Sequence, residues 1–272
     1  MKKDNKNQIN YLKENEQETQ FNQSINTITK EDIEKALEIL TKYKEGKTNL
    51  EARIIDNEQW FKMRHWEQMR NGTGEEFSSA WLFNSIANKH ADAMDNYPRV
   101  NCLPREQSDK EAAGILTEIL SVVFERNDFE KIYSDTWWYK LKAGTGVYGI
   151  FWNPKKQNGL GDIEIKQLNL LNIFWEPGIR DIAKSKNIFY VELTDNDVLL
   201  SMYPQLKDKL GSSTIEISKY IYDDTVDTSN KSAVVDWYYK KFINGVEVLH
   251  YCKFCNGEIL YASENDSNYY EK

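Results

Sequence analysis

The stretch Leu141-Lys-Ala-Gly-Thr-Gly-Val-Tyr-Gly-Ile-Phe-Trp-Asn-Pro154 is where the hydrophobic period of the chain changes. Before it, apolar residues recur every three or four positions, the mark of amphipathic helices. After it they alternate, the mark of half-buried strands. Gly144 stands where a helix C-cap needs a left-handed residue, and Val147 opens the first strand. Helices come first and strands follow. That arrangement predicts an α+β fold, with N-terminal helices packed on a mainly antiparallel β meander and no βαβ winding.

Working back from Gly144, Phe129, Ile132, Tyr133, Thr136, Trp137 and Leu141 predict one helix. Ala112, Ile115, Leu116, Ile119, Val122 and Val123 form the cleanest amphipathic stripe of the chain, with Ser108 and Glu111 spaced as a capping box. Arg99 to Leu103 reads as extended between Pro98 and Pro104. A helix starts near Ser78 or Ser79 and reaches about Asp95. Its stripe is Leu82, Ile86, Lys89/His90 and Ala93, flanked by Trp81 and Phe83. Further upstream, Leu50 to Arg70 reads as a helix apolar on more than one side, stopped by Asn71-Gly-Thr-Gly74. Thr29 and Asp32 start an earlier helix that Gly46 is expected to end. Residues 1–28 are polar, lack a periodic face and read as a mobile arm.

Forward of Gly144 the expected strands are Val147–Trp152, Ile163–Leu168, Ile173–Trp175, Ile188–Leu193, Ile215–Ile221, Ala233–Ile243, Glu247–Phe254 and Glu258–Tyr261. Thr194-Asp195 caps a short helix. Asn244-Gly245 and Asn256-Gly257 suit two-residue hairpin turns, which want φ > 0. The organisation expected is therefore an arm (1–28), a helical region (29–145) and a β-rich region (146–272), the last two forming one domain.

The order of words in this chain resembles the portal proteins of tailed bacteriophages. From Phe77 the sequence runs FSSAWLFNSIANKHADAMDNYPRVNCLP, then two helical stretches, LKAGTGVYGIFWNP, and QLNLLNIFWEPG ending at Gly178. The resemblance covers roughly positions 50–200, with a weaker continuation, and is carried by the order of the words. It implies a wing-like domain, the N-terminal part of a longer chain whose stem, clip and crown are not evident here. It implies a structural subunit of a homo-oligomeric ring, usually a dodecamer, at the head vertex. Such a ring passes DNA transiently and without sequence preference. It docks the terminase packaging motor and meets capsid and neck proteins. The location implied is the virion, after synthesis in the host bacterial cytoplasm. The alternatives are an unrelated α+β protein-interaction module and a nucleotide-binding enzyme.

Composition agrees with a structural role. Eight Trp and 16 Tyr are many for 272 residues and suit broad contact surfaces. The net charge is −8, and Lys alternates with Glu and Asp, so no basic face grips phosphates. Met1 is followed by Lys-Lys-Asp-Asn, without the apolar run of a secretory signal. No 18-residue apolar stretch exists to cross a membrane. The three cysteines read as reduced thiols.

Five strings invite chemistry, and each has a plainer reading. Gly144-Thr-Gly146-Val-Tyr-Gly149 matches a dinucleotide fingerprint, but here the helix precedes and the strand follows, the reverse of the required order. Gly178 to Ser185 approaches a P-loop with Ala183 in place of its second glycine, and a strand follows where a helix belongs. Cys252 and Cys255 beside His250 make half a zinc site, yet strand geometry sets the two thiols on opposite faces, and Cys102, His65 and His90 lie far off in sequence. Asp223, Asp224 and Asp227 suit a cation loop or a solvated acidic turn. Glu164, Glu176 and Asp181 show no spacing for acid–base work. No catalytic, cofactor-binding or metal-binding residue is expected, and no enzyme activity.

Overall fold

The structure, a computed structural model, describes residues 27–64, 79–207, 209–210, 230–243 and 245–266. They divide into two compact units. The first holds residues 27–46, 174–210 and 230–266, the second 47–64 and 79–173. The expected α+β composition is present, with helices leading and an antiparallel meander following. The expected strand at Ile215–Ile221 and the Asn71–Gly74 stop lie outside the described residues.

Helix α1 is Lys30–Phe61. Its start is the expected one: the Asp32 carboxylate accepts from the Thr29 backbone N–H at 3.0 Å and from its hydroxyl at 2.9 Å. Those bonds hold the Asp32 pKa below the usual carboxylate value. Gly46 does not end the helix. A Cβ there would stand 2.5 Å from Pro177 Cγ, so glycine allows a close approach in mid-helix. The two helices expected around it are one. Ile28, expected in the arm, is buried, and its N–H donates to Asn265 Oδ1 at 3.1 Å.

In the first unit the strands are β3 (Ile173–Trp175), β4 (Asn187–Asp195), β5 (Lys231–Ile243), β6 (Val246–Cys255) and β7 (Glu258–Ala262). They form one sheet in the order β3-β4-β5-β6-β7, with β4 through β7 pairing antiparallel. Alternation along β5 sends Ala233, Val235, Trp237 and Tyr239 to one face and Val234 to the other. Ile33, Ala36 and Leu40 of α1, spaced three and four apart, cover the first face over Phe174, Phe189, Val191 and Phe254. Each such side chain contributes about 1.5–3 kcal/mol through burial. The second face carries a smaller cluster with Leu199 of the short helix α5 (Asn196–Met202) and Leu206. Asn256 and Gly257 take φ of 47° and 79°, the conformation expected of a tight hairpin turn.

In the second unit helices α2 (Trp81–Asp95), α3 (Lys110–Arg126) and α4 (Phe129–Ala143) accompany the two-stranded β1 (Val147–Asn153) and β2 (Asp162–Leu168). The capping box sits two residues before its expected place, where Glu106 and Asp109 frame a short 3-10 turn. Asn127 stitches the α3–α4 corner to β2: its amide donates to Ile163 O at 3.1 Å, and its Oδ1 accepts from the Ile165 N–H at 3.2 Å. Inside the unit, Glu58 pairs with Lys142 at 2.7 Å, and Lys47 donates to the Leu170 and Ile173 carbonyls.

Candidate interaction surface

Gly144 has φ 82° and its N–H donates to Lys140 O at 2.9 Å, so it is the C-cap of α4. A strand, β1, follows it, and not a helix. A Cβ at Gly144 would meet no atom within 4 Å, so Gly144→Val suffers from backbone conformation alone. It should lower stability by about 1–2 kcal/mol in chemical denaturation. Added ATP or NAD should move neither form; a nucleotide shift lost in the variant would revive the phosphate-loop reading.

The other strings have structural employment. Asp181 accepts from the Ala183 N–H at 3.1 Å and caps a three-residue turn, after which β4 begins. Ser185 Oγ accepts from the Glu176 N–H at 3.0 Å and donates to Asn187 O at 2.6 Å. Glu164 ion-pairs with Lys166 at 3.4 Å. Cys252 and Cys255 lie in separate core clusters on opposite faces of the sheet, as strand geometry requires. Burial pushes their thiols up to about 12 and about 11, whereas a metal ligand must be a thiolate. His250 is fully buried and within 3.1 Å of Ser263 Oγ, and burial lowers its pKa. His90 stacks on Trp138 at 4.1 Å, with Nε2 3.1 Å from Ser134 Oγ. Among the described residues no group of three or more His, Cys, Asp or Glu could hold a metal ion. His65 and the Asp223, Asp224 and Asp227 cluster lie outside the described residues.

What the structure does assemble is apolar surface. In the second unit Trp81 is 84 % exposed at the start of α2, and Ile150 and Trp152 of β1 are 71 % and 64 % exposed. Ile115, Leu116, Ile119 and Val122 of α3 point outward as well. A groove of about 720 Å³ runs between the extended segment after α2 and the α3–α4 corner, lined by Tyr97, Arg99, Phe124, Glu125 and Phe129 among others. In its wall Phe124 stacks on Phe129 at 4.5 Å, and Tyr97 of the wall meets Tyr133 edge-on at 5.3 Å. In the first unit the end of the β5–β6 hairpin exposes Phe242 and Val246. On soluble proteins, large contiguous apolar patches mark contacts with other macromolecules.

The sequence model of the family described as phage P22-like portal protein matches residues 56–269, most of the 272-residue chain. The chain belongs to this family. It is a phage portal protein, as its word order suggested, and the matched span extends beyond the region of clearest resemblance, past the last strand of the meander. No curated protein matches the chain. The family is structural, in keeping with polar side chains that cap turns and pair inside the core. No helix among the described residues is long and apolar enough to cross a membrane.

Proposed function

We propose that this portal chain is a subunit of a closed ring at the phage head vertex, a DNA conduit that docks the packaging motor and the neck. The observation that carries the reading is the exposed apolar surface of the second unit, Trp81 and the Ile150/Trp152 pair above all. A two-stranded sheet is marginal by itself and gains from further packing. Ring subunits meet head to tail, through two different faces that close on rotation. The acidic balance supports the conduit: a net charge of −8 repels DNA weakly and does not hold it. By this reading the matched region is wing-like and belongs to the virion.

The test is the assembly state of the 272-residue chain, by light scattering and negative-stain electron microscopy across a wide concentration range. Concentration-dependent association into closed rings is expected. Ile150→Glu with Trp152→Glu should weaken it while leaving the far-UV circular dichroism unchanged. A strictly monomeric chain at every concentration overturns the ring. Sub-micromolar affinity for duplex DNA at physiological salt, against the weak and salt-sensitive contact expected, overturns the conduit.

A further inference from the structure

Helix α3 carries an apolar row and an acidic row side by side. The first is apolar: Ala112, Ile115, Ile119 and Val122 follow one another at intervals of three, four and three residues, with Leu116 alongside. That is the spacing of a coiled-coil seam. Ile115, Leu116, Ile119 and Val122 are 52 %, 51 %, 51 % and 44 % exposed. The side in use inside the unit carries Ala113 and Val123, both buried, and Thr117, whose hydroxyl accepts from the Cys102 N–H at 3.0 Å. The seam spans about 16 Å of helix. It ends at Arg126, the next position in the series, whose guanidinium reaches Asp162 Oδ2 at 3.4 Å.

The second row is acidic. Glu111, Glu118 and Glu125 stand seven residues apart, all exposed; the first two come one position before the seam residues Ala112 and Ile119, and the third one before Arg126, where the seam ends. In a helix pair these positions flank the seam and choose the partner. A second copy of α3 lying antiparallel would set the glutamates against each other, which is repulsive. A parallel copy would set them against Leu116 and Val123, where they gain nothing. A row of Lys or Arg satisfies all three.

We propose that this face of α3 docks an amphipathic helix of another protein, one with an apolar heptad row flanked by basic residues. The site is a short helix-on-helix interface. Its apolar row supplies burial, and its Glu row supplies orientation and selectivity. The proposal does not depend on ring closure, because the helix would be taken up by monomer and ring alike.

The probe is a fluorescent synthetic peptide of about three heptads, with Leu in the seam and Lys beside it. Its controls are the same peptide with Glu in place of Lys and a scrambled peptide of equal charge. Binding to the full chain is read by anisotropy. The Lys-flanked peptide should bind at least about tenfold more tightly than either control, with an affinity that falls as salt rises. Ile119→Asp should weaken binding by about tenfold or more without changing the melting temperature, because Ile119 is already half exposed. The triple variant Glu111→Lys, Glu118→Lys, Glu125→Lys should invert the preference toward the Glu-flanked peptide. Equal binding of the Lys-flanked and scrambled peptides would reduce the effect to bulk charge and overturn the proposal. So would failure of every peptide to bind. A third overturning result is dissociation of a self-associated chain by Ile119→Asp with no peptide binding, which would give the seam to a second copy.

Discussion

Glu58→Ala should destabilise the protein by about 3–5 kcal/mol, measured by urea denaturation followed by far-UV circular dichroism. Glu58 Oε2 lies 2.7 Å from Lys142 Nζ, and the two side chains are only 9 % and 13 % exposed. The Lys142 ammonium also lies 4.7 Å from the Phe61 ring centroid, and its backbone carbonyl accepts from the Asn57 side-chain amide at 2.9 Å. Lys62 stands farther from Glu58, at 3.9 Å, and is more exposed. Removing the carboxylate leaves the Lys142 charge nearly dry and without its closest partner, and that desolvation is the cost. The double variant Glu58→Leu, Lys142→Met removes both charges and should recover most of the loss, since a buried pair exchanged for apolar side chains of similar size is close to neutral. A loss below about 1 kcal/mol for Glu58→Ala would mean that water reaches Lys142 once the carboxylate is gone.

This pair was not legible in the sequence. Glu58 and Lys142 are far apart along the chain and sit among many other charged residues, and nothing local marks either as buried. The local features were legible because local chemistry sets them. Gly144 reads as a C-cap because a helix must end before a strand begins, and φ 82° is the conformation that ending needs. The strands from β1 to β7 follow the period of two, and their ends fall within a residue or two of the pattern. Gly46 misled because glycine has two uses. Seen in sequence it is a helix stop; in the structure it is the one side chain small enough to pass Pro177. The stripe on α3 shows a further limit. Periodicity says that a helix has an apolar face, and says nothing about what covers it. Here Ile115, Leu116 and Ile119 face outward, so the strongest helical signal of the chain describes a surface. His250 with Cys252 and Cys255 resembled half a zinc site for a similar reason: the spacing was visible, while the opposite faces and the Ser263 partner belong to the sheet.

The stability of the protein should depend on Lys47 as the solution becomes alkaline. Lys47 is buried in the second half of α1, and burial lowers its pKa from an ordinary 10.5 to about 8, with Glu51 opposing the shift. Below about pH 8 the folded and unfolded chains both carry the charge, and folding bears the full cost of drying it. Between about pH 8 and 10.5 the folded chain has released a proton that the unfolded chain still holds. Stability from this group therefore rises with pH across that window, by about 3 kcal/mol in all. The neutral amine still has two N–H groups to donate to the Leu170 and Ile173 carbonyls, so the bonds survive the loss of charge. Cys252 and Cys255 act in the opposite sense. Their thiols stay protonated when folded and ionise first when unfolded, so stability falls above about pH 9 as they titrate. The wild-type curve alone would mix these trends. The difference between wild type and Lys47→Met cancels the cysteines and isolates the lysine. That difference should move in favour of the wild type from pH 8 upward and level off beyond 10.5, read from urea midpoints at each pH. A flat difference would mean that Lys47 keeps its ordinary pKa, with water at its ammonium. A difference moving toward Lys47→Met would mean that the charged form is the stabilised one, held by Glu51 and the two carbonyls more strongly than burial opposes it.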